Sequence, residues 1–544
     1  MNDLVFRGAL VVDGTGREPF QGDVTVAAER IAEITDPGRG SGRTVIDADG
    51  LVLTPGFIDM HSHSELALLT DPAHLAKILQ GVTLEVIGQD GLGCAPISTG
   101  TLAHVRSQLS GILGDPPEVD WEWRTIADYI DALDGPTPLN VAVLIPHGNV
   151  RLLVIGDQDR AATPSELKAM EHIVEQGMLD GAFGLSTGLT YVPAMFGDTA
   201  ELVQLCRIVA THGGYFSPHT RNYGAKVFQA YEECIDIARA SGVALHLTHA
   251  IVNFPENRGK AGRLLAMVDA AIQEGLDVSL DTYPYTEGSS SLGHILPSWC
   301  QVGGDEDMRR RLMDPEVRAR ILEEIEVIGS DGYHGMRVDW NTIVVSGVMD
   351  ARNVAHVGRS ISEIAEEIGR PPGEAYLDLM VSEGSGASCI VKVGNEENVR
   401  TIMQHAAHTG GSDGVLAGQR PHPRAWGTFA RYIAHYTRDL GVLSLQSCVK
   451  HLTGNAAQRL GLADRGTIKV GAYADLVGFS LEDIADRATF DDPRVPASGI
   501  HEVVVNGELA VHHGQRTEAR AGRALRAQGS SHPSRNRVER MQNL

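Results

Sequence analysis

The sequence predicts an α/β protein: a (β/α)8 barrel of the TIM type with a small β-sandwich built from both chain ends. Three observations lead to this fold class. Apolar strand segments alternate with helical stretches through the middle of the chain, short strands with glycine turns occur at both ends, and 544 residues exceed one compact core. We therefore expect a β-sandwich domain of residues 1–55 and 465–515 and a barrel over residues 56–464.

The terminal module is predicted from alternating apolar residues. Residues 4–12 and 24–34 have the period of half-buried strands and are broken by Gly- and Asp-rich turns. The same pattern returns at residues 466–478 and 501–511. Because two similar pieces flank one domain, we expect them to assemble into a single sandwich.

The barrel is predicted from strand and helix in alternation. Strand-like runs occur at residues 83–87, 140–145, 243–248 and 278–282, and helical segments at 163–179 and 261–274. Alternation over this length implies a parallel sheet with enough units to close an eightfold barrel. In such a barrel the chemistry belongs at the C-terminal ends of the strands.

Two segments depart from this rhythm. Residues 287–338 contain a charged helical piece and are predicted to be an insertion beside or over the barrel mouth. Residues 520–544 are rich in Arg, Ser, Gln and Asn with few apolar anchors, so we expect a disordered tail without function.

Composition excludes several classes of protein. A net charge of −24 argues against a nucleic-acid or anionic-membrane partner, and we find no apolar run long enough to cross a bilayer. The N-terminal residues lack the pattern of a secretory signal, so a cytoplasmic location is expected. The six cysteines form no Cys-x-x-Cys pair, which indicates reduced core thiols.

The segment Pro55-Gly-Phe-Ile-Asp-Met-His-Ser-His63 places two imidazoles at the end of an apolar strand. Alternate residues of a strand face the same side, so His61 and His63 can point into one cavity. Paired neutral imidazoles at a strand end are typical ligands of a hydrolytic divalent metal, most often zinc.

Further ligands are predicted where later strands end. His219 follows an apolar segment, and His249 ends a strand in which parity places His246 on the opposite face. Asp413 lies in a Gly-Gly-Ser-Asp-Gly turn, where glycine permits close approach to a ligand. The loop carrying Asp90 supplies one more oxygen or sulfur, and the set suits a mononuclear or binuclear hydrolytic site.

These motifs resemble those of the amidohydrolase superfamily, and within it the N-acyl-D-amino-acid deacylases (D-aminoacylases). The resemblance covers nearly the whole chain. The His-x-His pair marks only the superfamily, whereas the Gly-Leu-x-Tyr-x-Pro and His-Pro-Arg segments are particular to the deacylases. The matching segments are residues 54–63, 181–193, 281–285, 411–414, 422–431 and 452–462.

The resemblance implies hydrolysis of the amide between an acyl group and a D-amino acid, with one or two zinc ions or another divalent metal. It places the metal-binding histidines at His61, His63, His219 and His249, and a catalytic and metal-binding aspartate at Asp413.

One departure from the family concerns a metal ligand. Where relatives often read Gly-Asn-Cys-Gly, this chain reads Gly88-Gln-Asp-Gly91, so Asp90 occupies a thiolate position. The glycine register favours Asp90 over Cys94 as the ligand, and a carboxylate can also bind or bridge zinc.

Charge suggests the mechanism. Zinc lowers the pKa of bound water to about 7, and Asp413 is expected to accept the water's proton and pass it to the departing amine. A second departure is the lysine of the relatives' Ser-His-x-Lys segment, which is Ile251 here.

The substrate carboxylate requires a cation or several hydrogen-bond donors. Arg424 suits it because a guanidinium binds a carboxylate with two parallel bonds, and Arg221 is the rival. Tyr191, Tyr283 and Ser289 are expected to contribute hydroxyl donors.

Two other functions remain open. A cyclic-amide hydrolase of the same superfamily, resembling dihydroorotase or hydantoinase, commonly uses a carboxylated lysine, and no lysine occurs in residues 83–87 or 140–145. A catalytically silent scaffold is the other alternative, and retention of every expected histidine and of Asp413 argues against it.

Overall fold

The computed structural model describes residues 2–135 and 137–528. Parallel strands form its centre and agree closely with the predicted segments, since the run predicted at 278–282 is the strand Val278–Thr282. These central strands are Phe57–Asp59, Ser62–His63, Val82–Ile87, Asn140–Val143, Ile145–Pro146, Gly184–Gly188, Tyr215–His219, Ala244–Leu247, Val278–Thr282, His408–Gly410 and Gly414–Val415.

Backbone hydrogen bonds connect the central strands from one to the next. The strands from Ile145–Pro146 to His408–Gly410 form a six-stranded parallel sheet. Phe57–Asp59, Val82–Ile87 and Asn140–Val143 form a second parallel sheet, and Ser62–His63 pairs with Gly414–Val415. The Phe183 amide donates to Val143 at 2.9 Å, which links the two sets. The Met60 amide donates to Gly410 at 3.0 Å, which joins the first strand to the last.

Helices lie between these strands, and their ends are specified locally. The helix Pro164–Asp180 begins with a capping box of Thr163 and Glu166 and ends at Gly181 in a left-handed conformation. The α-helices are Ala67–Thr70, Leu75–Ile78, Leu102–Leu113, Ile126–Leu133, His147–Val154, Pro164–Asp180, Thr199–Thr211, Val227–Ser241, Ala261–Gln273, Ser298–Gln301, Gly304–Leu312, Pro315–Leu322, Ile361–Ile368, Pro372–Glu383, Glu396–Met403, Arg424–Arg431, Leu445–Leu452 and Gly454–Arg459.

Both ends of the chain contribute to one nine-stranded sheet. Its two halves meet where Val52–Pro55 pairs antiparallel with Leu476–Phe479. The sheet therefore brings together the N-terminal and C-terminal segments that the alternating pattern singled out. Its strands are Leu4–Val11, Phe20–Ala27, Arg30–Thr35, Thr44–Asp47, Val52–Pro55, Leu476–Phe479, Ile500–Val505, Glu508–His512 and Gln515–Arg516.

The insertion is longer than residues 287–338, which corrects the sequence prediction. Its first strand, Gly288–Ser291, pairs with Ser388–Val391, and that strand pairs in turn with Ile343–Gly347. A separate apolar core, including Leu292, Tyr376 and Cys389, holds this region together. The insertion therefore extends to about residue 391.

The predicted disordered tail also needs correction for the part that the structure describes. Residues 520–528 run along the central strands, where Gly522 donates to Thr137, Leu525 to Val141 and Ala527 to Gly181 at 2.7 to 3.0 Å. Residues 529–544 lie outside the described part of the chain. Among residues 2–135 and 137–528, no helix has the length and apolar character needed to cross a membrane.

Candidate metal centre

All six predicted ligands lie where a central strand ends. His63 and His219 are the last residues of their strands, and His61, Asp90, His249 and Asp413 follow two or three residues after theirs. Because parallel strands end at the same edge, these side chains converge on one site.

Two overlapping groups of side chains have their donor atoms within 4.8 Å of one another. Each group combines imidazole nitrogens with carboxylate oxygens, which is the donor set that zinc prefers. Asp90 belongs to both groups. The first group is His61, His63, Asp90 and Asp413, and the second is Asp90, His219 and His249.

The first group surrounds the side chains of Asp90 and Asp413. His63 Nε2 lies 3.3 Å from Asp413 Oδ1 and 3.5 Å from Asp90 Oδ2. His61 Nε2 lies 3.6 Å from each of the same two oxygens. Both ring nitrogens of His61 are buried without a hydrogen-bond partner. Buried nitrogens without a hydrogen-bond partner fit a site in which a cation binds between the four side chains.

The second group faces both oxygens of the shared aspartate. His249 Nε2 lies 3.3 Å from Asp90 Oδ1, and His219 Nδ1 lies 3.7 Å from Asp90 Oδ2. The two imidazole nitrogens are 3.0 Å apart. Asp90 therefore contacts the histidines of both groups.

Three of the predicted ligands have an unusual backbone conformation. The φ angles are 58° at Asp90, 29° at His249 and 48° at Asp413, in a region that non-glycine residues rarely occupy. Strain of this kind persists only where the surrounding structure imposes it, and it clusters at functional sites. The turns therefore aim these side chains at a cost in backbone energy.

Two hydroxyl groups orient the histidines of the second group, and the sequence did not identify them. Thr190 Oγ1 lies 2.7 Å from His219 Nε2, and Tyr223 OH lies 3.1 Å from His249 Nδ1. Each contact occupies the nitrogen that points away from Asp90, so the other nitrogen of each ring faces the aspartate. The sequence feature that points to Tyr223 is its position four residues after His219.

A buried lysine lies beneath the first group. Lys77 is inaccessible to solvent, and its Nζ lies 2.6 Å from Asp59 and 2.8 Å from Ser412 Oγ. Glu85 is 3.7 Å from the same ammonium. Burial opposes ionisation of Glu85, but His74 and Lys77 lower its pKa to about 2.

The carboxylates around this lysine hold the metal-binding segments in place. Asp59 accepts the amides of His61 at 3.2 Å and Ser412 at 2.8 Å. Glu85 accepts the hydroxyls of Ser62 at 2.8 Å and Ser64 at 2.9 Å. The network therefore fixes residues adjacent to His61, His63 and Asp413.

The aspartates of the cluster are ionised at neutral pH. Burial disfavours the charged form of Asp413, but Arg424 holds its pKa below the ordinary value. Burial also disfavours the charged form of Asp90, but the His61 imidazole holds its pKa below the ordinary value. Hydrogen bonds to both aspartates outweigh burial at His63 and raise its pKa to about 10. Without a metal the cluster therefore retains a proton.

Arg424 lies at the opposite side of Asp413. Its guanidinium is fully buried, 2.9 Å from Asp413 Oδ2 and 4.4 Å from the centre of the Tyr283 ring. Nη2 also lies 3.5 Å from the Ser289 carbonyl, while Nε and Nη1 have no hydrogen-bond partner. These two donors fit an anionic group of a ligand.

A cavity of about 770 Å³ opens beside the cluster. Tyr191, Tyr283 and Ser289 line it together with Asp90 and Asp413, as expected for substrate-contacting residues. The Tyr191 hydroxyl lies 3.1 Å from Ser290 Oγ.

Arg221 does not face this cavity, which corrects the prediction of a substrate contact. Its guanidinium donates two bonds of 3.0 Å to Glu233 and further bonds to the carbonyls of Met195 and Gly197. With these partners Arg221 supports the chain after a predicted ligand and leaves the substrate role to Arg424.

His246 and Cys94, which the sequence analysis did not select as ligands, also lie outside the ligand groups. His246 bonds Asp281 at 2.9 Å and Ser279 at 2.7 Å. Burial and the nearby Glu65 raise the pKa of the Cys94 thiol well above its ordinary value, so Cys94 is not a thiolate.

Comparison with known proteins agrees with this architecture. Residues 44–511 match the amidohydrolase family model. The chain is 34% identical to a D-aminoacylase of Alcaligenes xylosoxydans xylosoxydans, over 96% of this chain and 97% of that protein. It is 35% identical to an N-acyl-D-glutamate deacylase of the same organism, over 97% of each.

A solved structure has the same fold. The N-acyl-D-glutamate deacylase of Bordetella bronchiseptica, complexed with zinc and a phosphonate inhibitor that mimics the tetrahedral intermediate, superimposes with a TM-score of 0.82 at 31% identity. The alignment covers 97% of this chain and all of that one. The chain therefore belongs to the amidohydrolase family, and its resemblance to the N-acyl-D-amino-acid deacylases is confirmed.

Proposed function

We propose that this protein hydrolyses the amide bond of N-acyl-D-amino acids and releases a D-amino acid and a carboxylate. The position of Asp413 carries the proposal. Its Oδ1 faces His63 at 3.3 Å, and its Oδ2 faces Arg424 at 2.9 Å. One carboxylate thus lies between a metal-ligand cluster and a cation suited to a substrate carboxylate.

The ligand groups suit one or two divalent cations, and zinc is the metal we infer. Their imidazole and carboxylate donors fit zinc, and the unpartnered nitrogens of His61 support a cation there. When bound, zinc lowers the pKa of water to about 7 and polarises a carbonyl oxygen.

Asp413 is the proposed general base and acid. Arg424 keeps it ionised at neutral pH, so it can accept a proton from the water that attacks the amide carbon. As the carbon–nitrogen bond breaks, Asp413 returns this proton to the departing nitrogen. The products are then a free amine and a carboxylate.

Arg424 is proposed to bind the α-carboxylate of the substrate. Nε and Nη1 are buried and unpartnered, so the guanidinium retains donors for an anionic group. Tyr191, Tyr283 and Ser289 line the same cavity and are proposed to add hydrogen bonds to the substrate.

We further propose that the central strands form a closed (β/α)8 barrel over residues 56–464, with a small β-sandwich of residues 1–55 and 465–515. The bond between Met60 and Gly410 supports closure. The sandwich is supported by the strand Leu4–Val11, whose first half pairs with Thr44–Asp47 and whose second half pairs with Val52–Pro55.

A cyclic-amide hydrolase with a bridging lysine is less well supported. Among the described residues no lysine lines the cavity, and Lys77 is occupied by Asp59 and Ser412. A silent scaffold is disfavoured because the candidate ligands and Asp413 converge.

The test is a comparison of substrates with zinc-loaded protein. N-acetyl-D-methionine, its L enantiomer and a hydantoin would be incubated with enzyme before and after removal of metal by a chelator. We expect hydrolysis of the D compound that is lost with the chelator and restored by zinc. Hydrolysis of the hydantoin alone, or of none of the three, would contradict the proposal.

A further inference from the structure

The lining of the substrate cavity is mixed. Its polar residues include Asp90, Asp413, Tyr283 and Ser289. It also includes a group of apolar side chains, which we call the apolar wall. The apolar wall consists of Ile112, Ile251, Phe254, Val391, Val393 and Val415.

The cavity offers very little positive charge to a ligand. In the part of the chain that the structure describes, no lysine or arginine lines it. Arg424 contacts two lining residues, Asp413 and Ser289. Its unpartnered Nε and Nη1 leave this guanidinium able to bind one anionic group.

Two histidines of the cavity do not supply the missing cation. His294 contacts the Ser291 carbonyl through Nδ1 at 2.6 Å, and burial lowers its pKa to about 4. Burial and the neighbouring His294 lower the pKa of His334 as well. Both imidazoles are therefore neutral at pH 7 and add hydrogen-bonding capacity without charge.

The space next to the cavity is acidic. An adjoining cavity of about 1140 Å³ shares Ile112, Tyr191 and His294 with the first, and its lining includes Asp305 and Glu306. Lysine and arginine are absent from its lining within residues 2–135 and 137–528. An anionic group extending from the first cavity into the second would meet like charge.

We propose that this enzyme selects substrates whose only charged group is the α-carboxylate, so that both the amino-acid side chain and the acyl group are uncharged. The inference rests on the proposed deacylase function. The chain is almost equally similar to the D-aminoacylase and to the N-acyl-D-glutamate deacylase, so sequence identity does not indicate which substrates it accepts. We therefore infer the substrate class from the lining of the cavity. A second carboxylate would be desolvated in a cavity whose described lining offers it no lysine or arginine.

Matched pairs of substrates test this selectivity on the zinc-loaded enzyme. N-acetyl-D-glutamine and N-acetyl-D-glutamate differ mainly in charge at the side chain, and N-butyryl-D-leucine and N-succinyl-D-leucine differ mainly in charge at the acyl group. Because an unpaired buried charge is costly, we expect kcat/KM to be at least about 100-fold lower for the charged member of each pair.

The outcomes separate the two proposals. Efficient hydrolysis of neutral substrates with the expected discrimination supports both. Equal or faster hydrolysis of the charged members would overturn the selectivity while leaving the deacylase function in place. Failure to hydrolyse any of the four compounds would instead overturn the deacylase function.

A substitution in the apolar wall tests the physical cause. Val393 is partly exposed in the cavity, and Val393→Lys would introduce a cation there, with Val393→Met as the neutral control. We expect the glutamate-to-glutamine ratio of kcat/KM to rise about tenfold in the lysine variant relative to the methionine variant. A folded lysine variant with an unchanged ratio would show that charge at this wall does not set the selectivity.

Discussion

Asp90 is the residue on which both candidate metal positions depend. Its two carboxylate oxygens face different histidines, with His63 at 3.5 Å from one and His249 at 3.3 Å from the other. The anionic charge also balances the cations that the imidazoles would hold. Replacing a thiolate by this carboxylate therefore keeps an anionic ligand and changes its softness.

Substitution of Asp90 is expected to separate the two metal positions. Asp90→Asn removes the charge and one strong ligand oxygen, so bound zinc should fall to at most one ion per chain, and turnover should fall about 100-fold. Elemental analysis and kcat measure these effects. Asp90→Cys restores an anionic ligand and should retain more metal than the asparagine variant, whereas equal metal in all three proteins would remove Asp90 from the ligand set.

Substitution of Asp413 is expected to impair catalysis while leaving metal binding nearly unchanged. In Asp413→Asn the amide oxygen can still face His63, but it cannot accept a proton at neutral pH. We expect metal content near that of the wild type and a loss of kcat of about 1,000-fold. Unchanged turnover, measured with N-acetyl-D-methionine, would exclude Asp413 from proton transfer.

At this scale the sequence predicted residues that the structure brings together, but it missed their supports. His61 and His63 were predicted from strand parity and Asp413 from its glycine turn, because these are local patterns. Thr190 and Tyr223 act on the histidines through contacts between loops, which no periodicity reports. Arg221 was misjudged because its nearness to His219 in sequence does not reveal its partner Glu233.

At the scale of elements, Lys77 connects a helix to two strand ends. The helix Leu75–Ile78 carries it, Asp59 ends one strand, and Ser412 precedes the strand Gly414–Val415. The chain segments next to His61 and Asp413 thus share one buried cation. Their relative position depends on charge as well as on backbone hydrogen bonds.

Removing this buried cation is expected to disturb the site and the fold together. Lys77→Met leaves Asp59 charged and unpaired, so unfolding free energy should fall by about 3 to 5 kcal/mol. Urea denaturation and zinc affinity would be measured side by side. The double variant Lys77→Met, Asp59→Asn removes the uncompensated charge and should be less destabilised, whereas a single variant as stable as the wild type would refute the role of Lys77.

The extent of the insertion illustrates what periodicity misses among elements. The helices Ile361–Ile368 and Pro372–Glu383 have ordinary amphipathic patterns, like those between central strands. Only the pairing of Gly288–Ser291 with Ser388–Val391 assigns them to the insertion. That pairing joins segments about a hundred residues apart and has no local signal.

On the scale of the whole molecule, residues 520–528 connect the C-terminal segment to the central strands. Leu525 bonds Val141, Ala527 bonds Gly181, and Arg526 bonds Asp131 at 2.7 Å. Composition suggested disorder because the segment is polar. Its backbone hydrogen bonds are set by neighbouring strands, which composition does not reveal.

Deletion of this segment is expected to lower stability without removing the active site. A chain ending at residue 519 loses several backbone hydrogen bonds, so we expect a decrease of about 2 to 4 kcal/mol in unfolding free energy. The melting temperature would be compared with that of a chain ending at residue 528, which keeps the bonded residues. Equal melting temperatures would show that the contacts of residues 520–528 contribute nothing.

The nine-stranded sheet has a consequence for biosynthesis. Arg30 and Asp464, which form an ion pair beside it, are 434 positions apart. At ordinary translation rates the early strand Val52–Pro55 waits on the order of half a minute for its partner Leu476–Phe479 to leave the ribosome. During that interval their open edges are exposed to other nascent chains, so the order of synthesis makes chaperone protection most valuable for the residues made first.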